Sequence, residues 1–407
     1  MELAENPKLR LIDARPVVYE GASYLVLRDP LGLTEKNLLI PQQYIPILAL
    51  CDGSRNPAAL RGALAIRYGI YLTRDRIEEF LSALDDALLL ENVRSHQAFE
   101  GARQSFRQAP FRPPASAGHS YPENPAELAD YLQGFLDAAA SPNPDNQNPA
   151  LDGNIRGLVS PHIDFERGGP VYAQVWGQAA RAVQAADLAI IFGTDHYSEG
   201  RAFSLTRQSY ATPFGVLPTD TAIVDRLAQV IGGDEAFAGE LHHRQEHSIE
   251  LAAVWMHHIR GGQPVATVPI LTGSLEIIQQ QQGGETLNAV LRTLRQAMRN
   301  RRVIVIAAGD LAHVGPAFEG QPVTPEKITQ LKNADDELIQ AICSGDAEGF
   351  HHAIQRVGDA NNVCGVSPVY LTLRLLAPLQ GQALGYSICP ADQEQTSVVT
   401  ICGVALV

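Results

Sequence analysis

The chain has 407 residues, 45% of them hydrophobic and 19% charged. It has no apolar run of membrane-spanning length, and polar residues over Met1–Arg10 where a signal peptide would be apolar, so a cytoplasmic globular protein of roughly two or three domains is expected. Lysine and arginine total 31 against 45 aspartates and glutamates, a formal charge of −14 that disfavours nonspecific nucleic-acid binding, and the five scattered cysteines (Cys51, Cys343, Cys364, Cys389, Cys402) argue against a disulfide framework or zinc knuckle.

From about Pro7 to about Asn92, strand-like pieces precede helical patterns. The strands are expected at Leu9–Ile12, Val17–Tyr19 and Tyr24–Arg28, the last two flanking a turn at Glu20-Gly21-Ala22-Ser23. A helix over Gln42–Leu50 stops at Cys51-Asp52-Gly53, and one over Asn56–Tyr68 stops at Gly69. Thr73–Leu89 is the strongest helix: Thr73 can cap it, and Ile77, Phe80, Leu81, Leu84 and Leu88 mark one face. Residues 1–95 are therefore expected to form a small winged-helix-like α+β domain. Arg55, Arg61, Arg67, Arg74 and Arg76 would suit a DNA-binding version, but Glu78, Glu79, Asp85 and Asp86 on the last helix oppose it.

A linker is expected over residues 96–113, within a stretch from His96 to Pro125 dense in proline, glycine and serine. A helix over Pro125–Ala139 and a loop rich in Pro, Asn and Asp over Ser141–Asn154 come next.

Residues 114–407 are expected to form an α/β domain, a mainly parallel sheet flanked by helices. Strands are expected at Ile155–Ser160, Leu188–Phe192, Val265–Leu271, Val303–Ala308 and Ser397–Val404. Helices are expected at Val171–Ala186, Asp220–Val230, Ser248–Ile259, Glu285–Met298, Pro325–Cys343, Ala347–Val357 and Ser367–Leu376.

Open α/β sheets bind ligands beyond the carboxyl ends of their strands. Three strands here run into loops that carry both His and Asp: Pro161-His162-Ile163-Asp164, Gly193-Thr194-Asp195-His196 and Gly309-Asp310-Leu311-Ala312-His313. His247 stands at the mouth of a helix that Ser248 could cap, where the helix dipole disfavours imidazolium. Cys364 precedes the helix starting near Ser367, a position that favours thiolate. Two imidazoles and a thiolate would hold a soft or borderline divalent ion with positions left open. Singly, each residue has an ordinary structural reading: a hydrogen-bonded strand-end His, or a cysteine acting as a small buried hydrophobe. The adjacent pairs His242-His243, His257-His258 and His351-His352 read as surface or helix residues.

The ordered segments SPHIDFERGG, IFGTDHYS, YATPFGVLPTD, EHSIELAAVW, VPILTG, AAGDLAHVGPAF and NVCGVSP resemble the Memo family, which includes the AmmeMemoRadiSam system protein B group. The resemblance runs from about Pro114 to Val407. It implies a fold similar to class III extradiol dioxygenases and one metal at the pocket floor, iron(II) first, with copper or zinc as alternatives. It assigns the metal to His162, His196 and Cys364, and places Asp310, His313 and His247 beside it. The sequence departs from the family where Asp164 replaces a glycine, where Thr194-Asp195 replaces Pro-Ser, and where Ala308-Gly309 replaces two serines. Either Asp164 or Asp195 could add a carboxylate to the site. The first zone, with LALCDGSRNPAALRGALAIRYG and ALLLEN, resembles PqqD-like peptide-recognition domains.

A non-haem iron-dependent oxidoreductase, dioxygenase-like, acting on a small molecule or peptide is the expected function. His313 or His247 would be the acid/base, with Asp310 orienting an imidazole or the substrate. The alternatives are a non-catalytic binder of metal or peptide and a metal-dependent hydrolase. A radical SAM partner is implied by the family grouping; no membrane or nucleic-acid partner is expected.

Overall fold

The apolar runs that read as strands become the middle of one eight-stranded sheet, and the helical patterns cover its two faces. The computed structural model describes residues 5–140 and 155–407; the Pro-, Asn- and Asp-rich stretch from 141 to 154 lies outside them. The chain divides after Gln108 into two compact units.

In the first unit, β1 (Asp13–Tyr19), β2 (Ala22–Arg28) and β3 (Leu38–Pro41) form an antiparallel sheet in that order. Glu20 and Gly21 turn the first hairpin, both at positive φ. Four helices follow: α1 (Ile45–Leu50), α2 (Pro57–Tyr68), α3 (Arg74–Asp86) and α4 (Val93–Gln108). Asn56 caps α2 by accepting from the Ala59 N–H, and Thr73 caps α3 by accepting from the Arg76 N–H. Leu9–Ile12 is not a strand. Its N–H groups bond the ends of α1 and α3 instead, Leu9 to the Cys51 carbonyl and Arg10 to the Leu89 carbonyl, each at 2.9 Å. Leu27, Ile47, Leu60, Leu64, Ile77, Leu81 and Leu84 make the core. Helix α4 occupies much of the stretch that reads as a linker.

The second unit begins with α5 (Pro125–Ala140), β4 (Gly157–Ser160), α6 (Phe165–Gln178) and α7 (Ala180–Ala185). Next come β5 (Leu188–Thr194), the short strands β6 (Phe203–Leu205), β7 (Tyr210–Thr212) and β8 (Gly215–Leu217), and α8 (Thr221–Ile231). Helix α9 (Ser248–Ile259), β9 (Ala266–Thr272), α10 (Leu275–Gln280), α11 (Glu285–Met298), β10 (Val303–Ala308) and β11 (His313–Val314) follow. The unit closes with α12 (Pro325–Ser344), α13 (Ala347–Arg356), α14 (Val366–Leu376), β12 (Gly381–Pro390) and β13 (Val398–Leu406).

The sheet order is β11-β13-β4-β10-β5-β9-β6, with β12 added to β13. The four central strands β4, β10, β5 and β9 are parallel, whereas β6, β11, β12 and β13 join antiparallel at the flanks. Register decides where the loops emerge. Ala308 pairs with both Ser160 and Gly193, so the loops after β4, β10 and β5 leave the sheet side by side. No helix among the described residues is long and apolar enough to cross a membrane.

One helix starts earlier than its sequence suggests. Gly168-Gly169-Pro170 reads as a breaker, yet α6 runs through it from Phe165. A side chain at Gly169 would collide with the Phe135 ring, so the absence of one lets α5 and α6 pack closely.

Candidate metal centre

His162 sits at the bottom of the site, only 2% exposed, on the loop that leaves β4. Its backbone N–H donates to Asp310 Oδ1 at 2.8 Å, which ties the β4 loop to the β10 loop. Its Nδ1 lies 3.2 Å from the Ala308 carbonyl; a carbonyl only accepts, so Nδ1 carries the proton and Nε2 carries the lone pair. That Nε2 lies 3.1 Å from Cys364 Sγ.

The Cys364 loop is held against the same place by backbone approach. A Cβ on Gly365 would come 2.7 Å from the Asp310 carbonyl, so only glycine fits there. The Gly365 N–H donates to that carbonyl at 2.9 Å, and the Asp310 N–H points at Sγ at 3.3 Å. The position ahead of α14 was expected to favour thiolate. Burial wins instead and pushes the Cys364 thiol above its ordinary value, with His196 opposing it.

His196 and His247 form one wall. They come from the loop after β5 and from the residue just ahead of α9. One buried carboxylate, Glu246, faces both rings, hydrogen-bonded to His196 and beside His247. Its Oε2 lies 2.9 Å from His196 Nδ1, and its Oε1 lies 3.2 Å from His247 Nδ1. Oε1 also accepts the N–H groups of His247 and Ser248 at 2.8 and 2.9 Å. Ser248 was expected to cap α9, but its hydroxyl donates to the Thr194 carbonyl and Glu246 takes the free N–H groups. A side chain at Gly193 would strike Ser248 and Ile249, so a glycine there lets α9 lie against β5.

The electrostatics follow from burial and this carboxylate. Burial, with His196 and His247 beside it, holds the His162 imidazole well below its ordinary value. Partial desolvation lowers His247 against the pull of Glu246. For His196, Glu246 and Cys364 outweigh burial and raise the imidazole well above its usual value. Glu246 is held well below the carboxylate range, its two imidazoles and the Ser248 N–H overcoming desolvation. Burial pushes Asp310 up to about 7 and His313 down to about 4. The His313 Nδ1 lies 3.2 Å from each of the Leu311 and Asn362 carbonyls, and its ring meets Phe318 edge-on.

Five of the six residues singled out from the sequence are brought together, and the sixth, His313, stands near enough to act on His162 electrostatically. Ligand atoms of His162, His196 and His247 lie within 4.8 Å of one another, and so do those of His162, Asp310 and Cys364. Imidazoles with Nδ1 anchored to an acceptor and a thiol beside them make a donor set that fits a soft or borderline divalent ion.

Neither of the two unusual aspartates joins the site. Asp164 caps α6 by accepting from the Arg167 N–H and pairs with the Arg167 guanidinium. Asp195 turns away to His242 Nδ1, 2.9 Å from each oxygen, and to the Ser204 hydroxyl. His242 and His243, which read as surface or helix residues, lie in a short 3-10 helix and are buried. His243 accepts from the Tyr210 hydroxyl at 2.6 Å and donates to the Ser204 carbonyl at 2.8 Å.

Two supports had no clear sequence signal. Glu246 lies in a recognised segment but carries no mark of its role. Arg112 is wholly buried behind α9. It donates to the carbonyls of His243 and Glu246 at 2.8 and 2.9 Å and forms an ion pair with Glu250. Glu250 also accepts from the N–H groups of Ala115 and Ser116 and from the Tyr121 hydroxyl.

The chain is similar to known proteins over most of its length. A family model described as "Memo-like protein" matches residues 112–404. A MEMO1 family protein of Aquifex aeolicus is 24% identical over 395 residues, 96% of this chain and 97% of its own length. Those of Methanosarcina barkeri and Thermus thermophilus are 26% and 25% identical, covering 68% and 79% of this chain and 92% and 90% of their own.

Proposed function

Because the chain belongs to the Memo family, we propose that it holds a divalent ion, iron(II) or in its place copper or zinc, through His162, His196 and Cys364, and acts as a dioxygenase-like oxidoreductase on a small molecule or peptide. The carrying observation is that both imidazoles have their tautomer set by an acceptor at Nδ1, while Cys364 lies beside them. Such outer partners fix ring orientation and raise ligand basicity. When bound, the ion would supply positive charge and redox chemistry next to the substrate.

The remaining steps belong to side chains. Asp310 orients His162 through its backbone and holds the Cys364 loop through its own carbonyl. His313, with Nδ1 held by two carbonyls, keeps Nε2 for proton exchange with a bound substrate, and His247 is the other imidazole within reach of that role.

The test uses the full chain loaded anaerobically with iron(II), then given oxygen and catechols or peptides. Oxygen uptake coupled to product, and lost in His162→Ala, is the expected result. Stoichiometric metal without any turnover would leave a non-catalytic binder. Product formed equally well without oxygen would make the protein a hydrolase.

A peptide is favoured as substrate or partner by one feature of the first unit. A groove of about 250 Å³ runs beside the edge strand β3 and is lined by Leu38, Ile40, Tyr44, Arg76 and Phe80. An edge strand next to an apolar groove suits strand addition by an extended peptide. The same proposal extends to a radical SAM protein as the source of such a segment.

A further inference from the structure

His247 reads in the sequence as a proton-transfer residue, but its surroundings resemble those of a metal ligand. His196 and His247 share a single carboxylate, one ring on each oxygen. The two rings lie 13° from parallel with centroids 5.0 Å apart, and each centroid is 5.1 Å from that of His162. With Nδ1 of His196 hydrogen-bonded to Glu246 and Nδ1 of His247 facing its other oxygen at 3.2 Å, Nε2 is the atom each ring turns to the site. The backbone of His247 is pinned too, since its N–H donates to the same carboxylate at 2.8 Å. A ring whose backbone is pinned and whose Nδ1 faces a buried carboxylate oxygen is preorganised to hold something still.

We propose that His247 is a fourth protein ligand, so that three imidazoles and one thiolate surround the ion, with Glu246 as the positioning residue that makes His196 and His247 act as a pair. This rests on the metal reading above. It leaves His313 as the single imidazole of the site free for proton transfer. It also leaves one fewer open position for exogenous ligands than a three-ligand centre has. The charge of the centre changes little, since His247 joins as a neutral donor and Cys364 contributes the one negative ligand.

The full chain labelled with nitrogen-15 histidine and loaded with cadmium-113 tests this directly, because one-bond coupling counts the nitrogens on the ion. Three coupled Nε2 resonances are expected in the unaltered protein, falling to two in His247→Ala. Two couplings in the unaltered protein, or an unchanged count in His247→Ala, would overturn the fourth ligand and leave the metal centre standing. No cadmium uptake at all would overturn the metal reading itself. The count in the unaltered protein does not depend on any variant folding. For Glu246, chelator competition should show metal affinity lower by about 10- to 100-fold in Glu246→Gln, with His196 and His247 both shifted in the nitrogen-15 spectrum of the metal-free protein. A Glu246→Gln protein that binds as tightly as its parent, or in which only one of the two rings shifts, would remove Glu246 from that role.

Discussion

The floor and the wall of the site are built by different means. The floor, His162 with Asp310 and Cys364, is fixed by main-chain groups: the Ala308 carbonyl, the His162 and Asp310 N–H groups and the close passage of Gly365. The wall, His196 with His247, hangs on the side chain of Glu246 and, behind it, on Arg112. The side chains of His196 and His247 are 31% and 43% exposed, whereas that of His162 is 2% exposed. A floor held by strand ends needs only the right register. A wall held by one carboxylate needs a distant chain of buried partners, and single substitutions can undo it.

Removing a proposed metal ligand from the floor has the largest expected effect. Cys364→Ser should lose stoichiometric metal, measured anaerobically on purified protein; unchanged metal content would remove the thiol from the centre. Next comes the back of the wall. Arg112→Met leaves Glu250 buried without its cation and should cost about 3–5 kcal/mol in denaturant unfolding. A loss under about 1 kcal/mol would mean that the three other donors to Glu250 suffice.

Acid and base should part the two regions. His243 backs the wall, and burial lowers it to about 4 from 6.5. Its neutral form is the folded one, so its contribution is complete above about pH 6.5 and fades as pH falls through about 4, roughly 3 kcal/mol in all. Melting curves across that window should slope accordingly and flatten in His243→Gln. Asp335, on α12, bonds Tyr386 of β12 at 2.8 Å, beside the strand that braces the floor, and burial raises it to about 6 from 3.8. For this group the protonated form is the folded one. Its contribution is present below about pH 3.8 and is lost as pH rises through about 6. Asp335→Asn should therefore stabilise the protein at pH 7.5 by about 3 kcal/mol and do nothing near pH 3. A variant less stable at both pH values would show that the carboxyl is wanted for something other than its proton. The smallest effect belongs to Asp164→Ala. Losing a helix cap should cost about 1 kcal/mol and leave metal content alone; reduced metal would restore Asp164 to the site.

Much of this was legible in the sequence, and the reasons are local. Leu188–Phe192 and Val303–Ala308 are continuous apolar runs, as buried parallel strands should be, and each ends in glycine before its His–Asp loop. His162, His196, His313 and Cys364 could be picked out because each follows or precedes an element whose end is easy to see. Strand β12 leaves little trace in the sequence because Gly381–Pro390, among the described residues, pairs only with β13 and stays half-exposed along much of its length, which weakens its apolar pattern. The start of α6 was hidden by Gly168-Gly169-Pro170, where packing overrides poor helix propensity. Glu246 and Arg112 were beyond reach for another reason. Arg112 lies more than 130 residues from the groups it binds, and no periodicity encodes such a meeting.

Arg112 also bears on how the protein can be cut. It stands only a few residues past α4, yet its guanidinium belongs to the interior of the later unit. A trimmed version starting at residue 114, where the proline-rich stretch invites a boundary, would discard that guanidinium and strand Glu250. A cut directly after Gln108, where the chain divides into its two compact units, keeps Arg112 on the same piece as the groups its guanidinium binds.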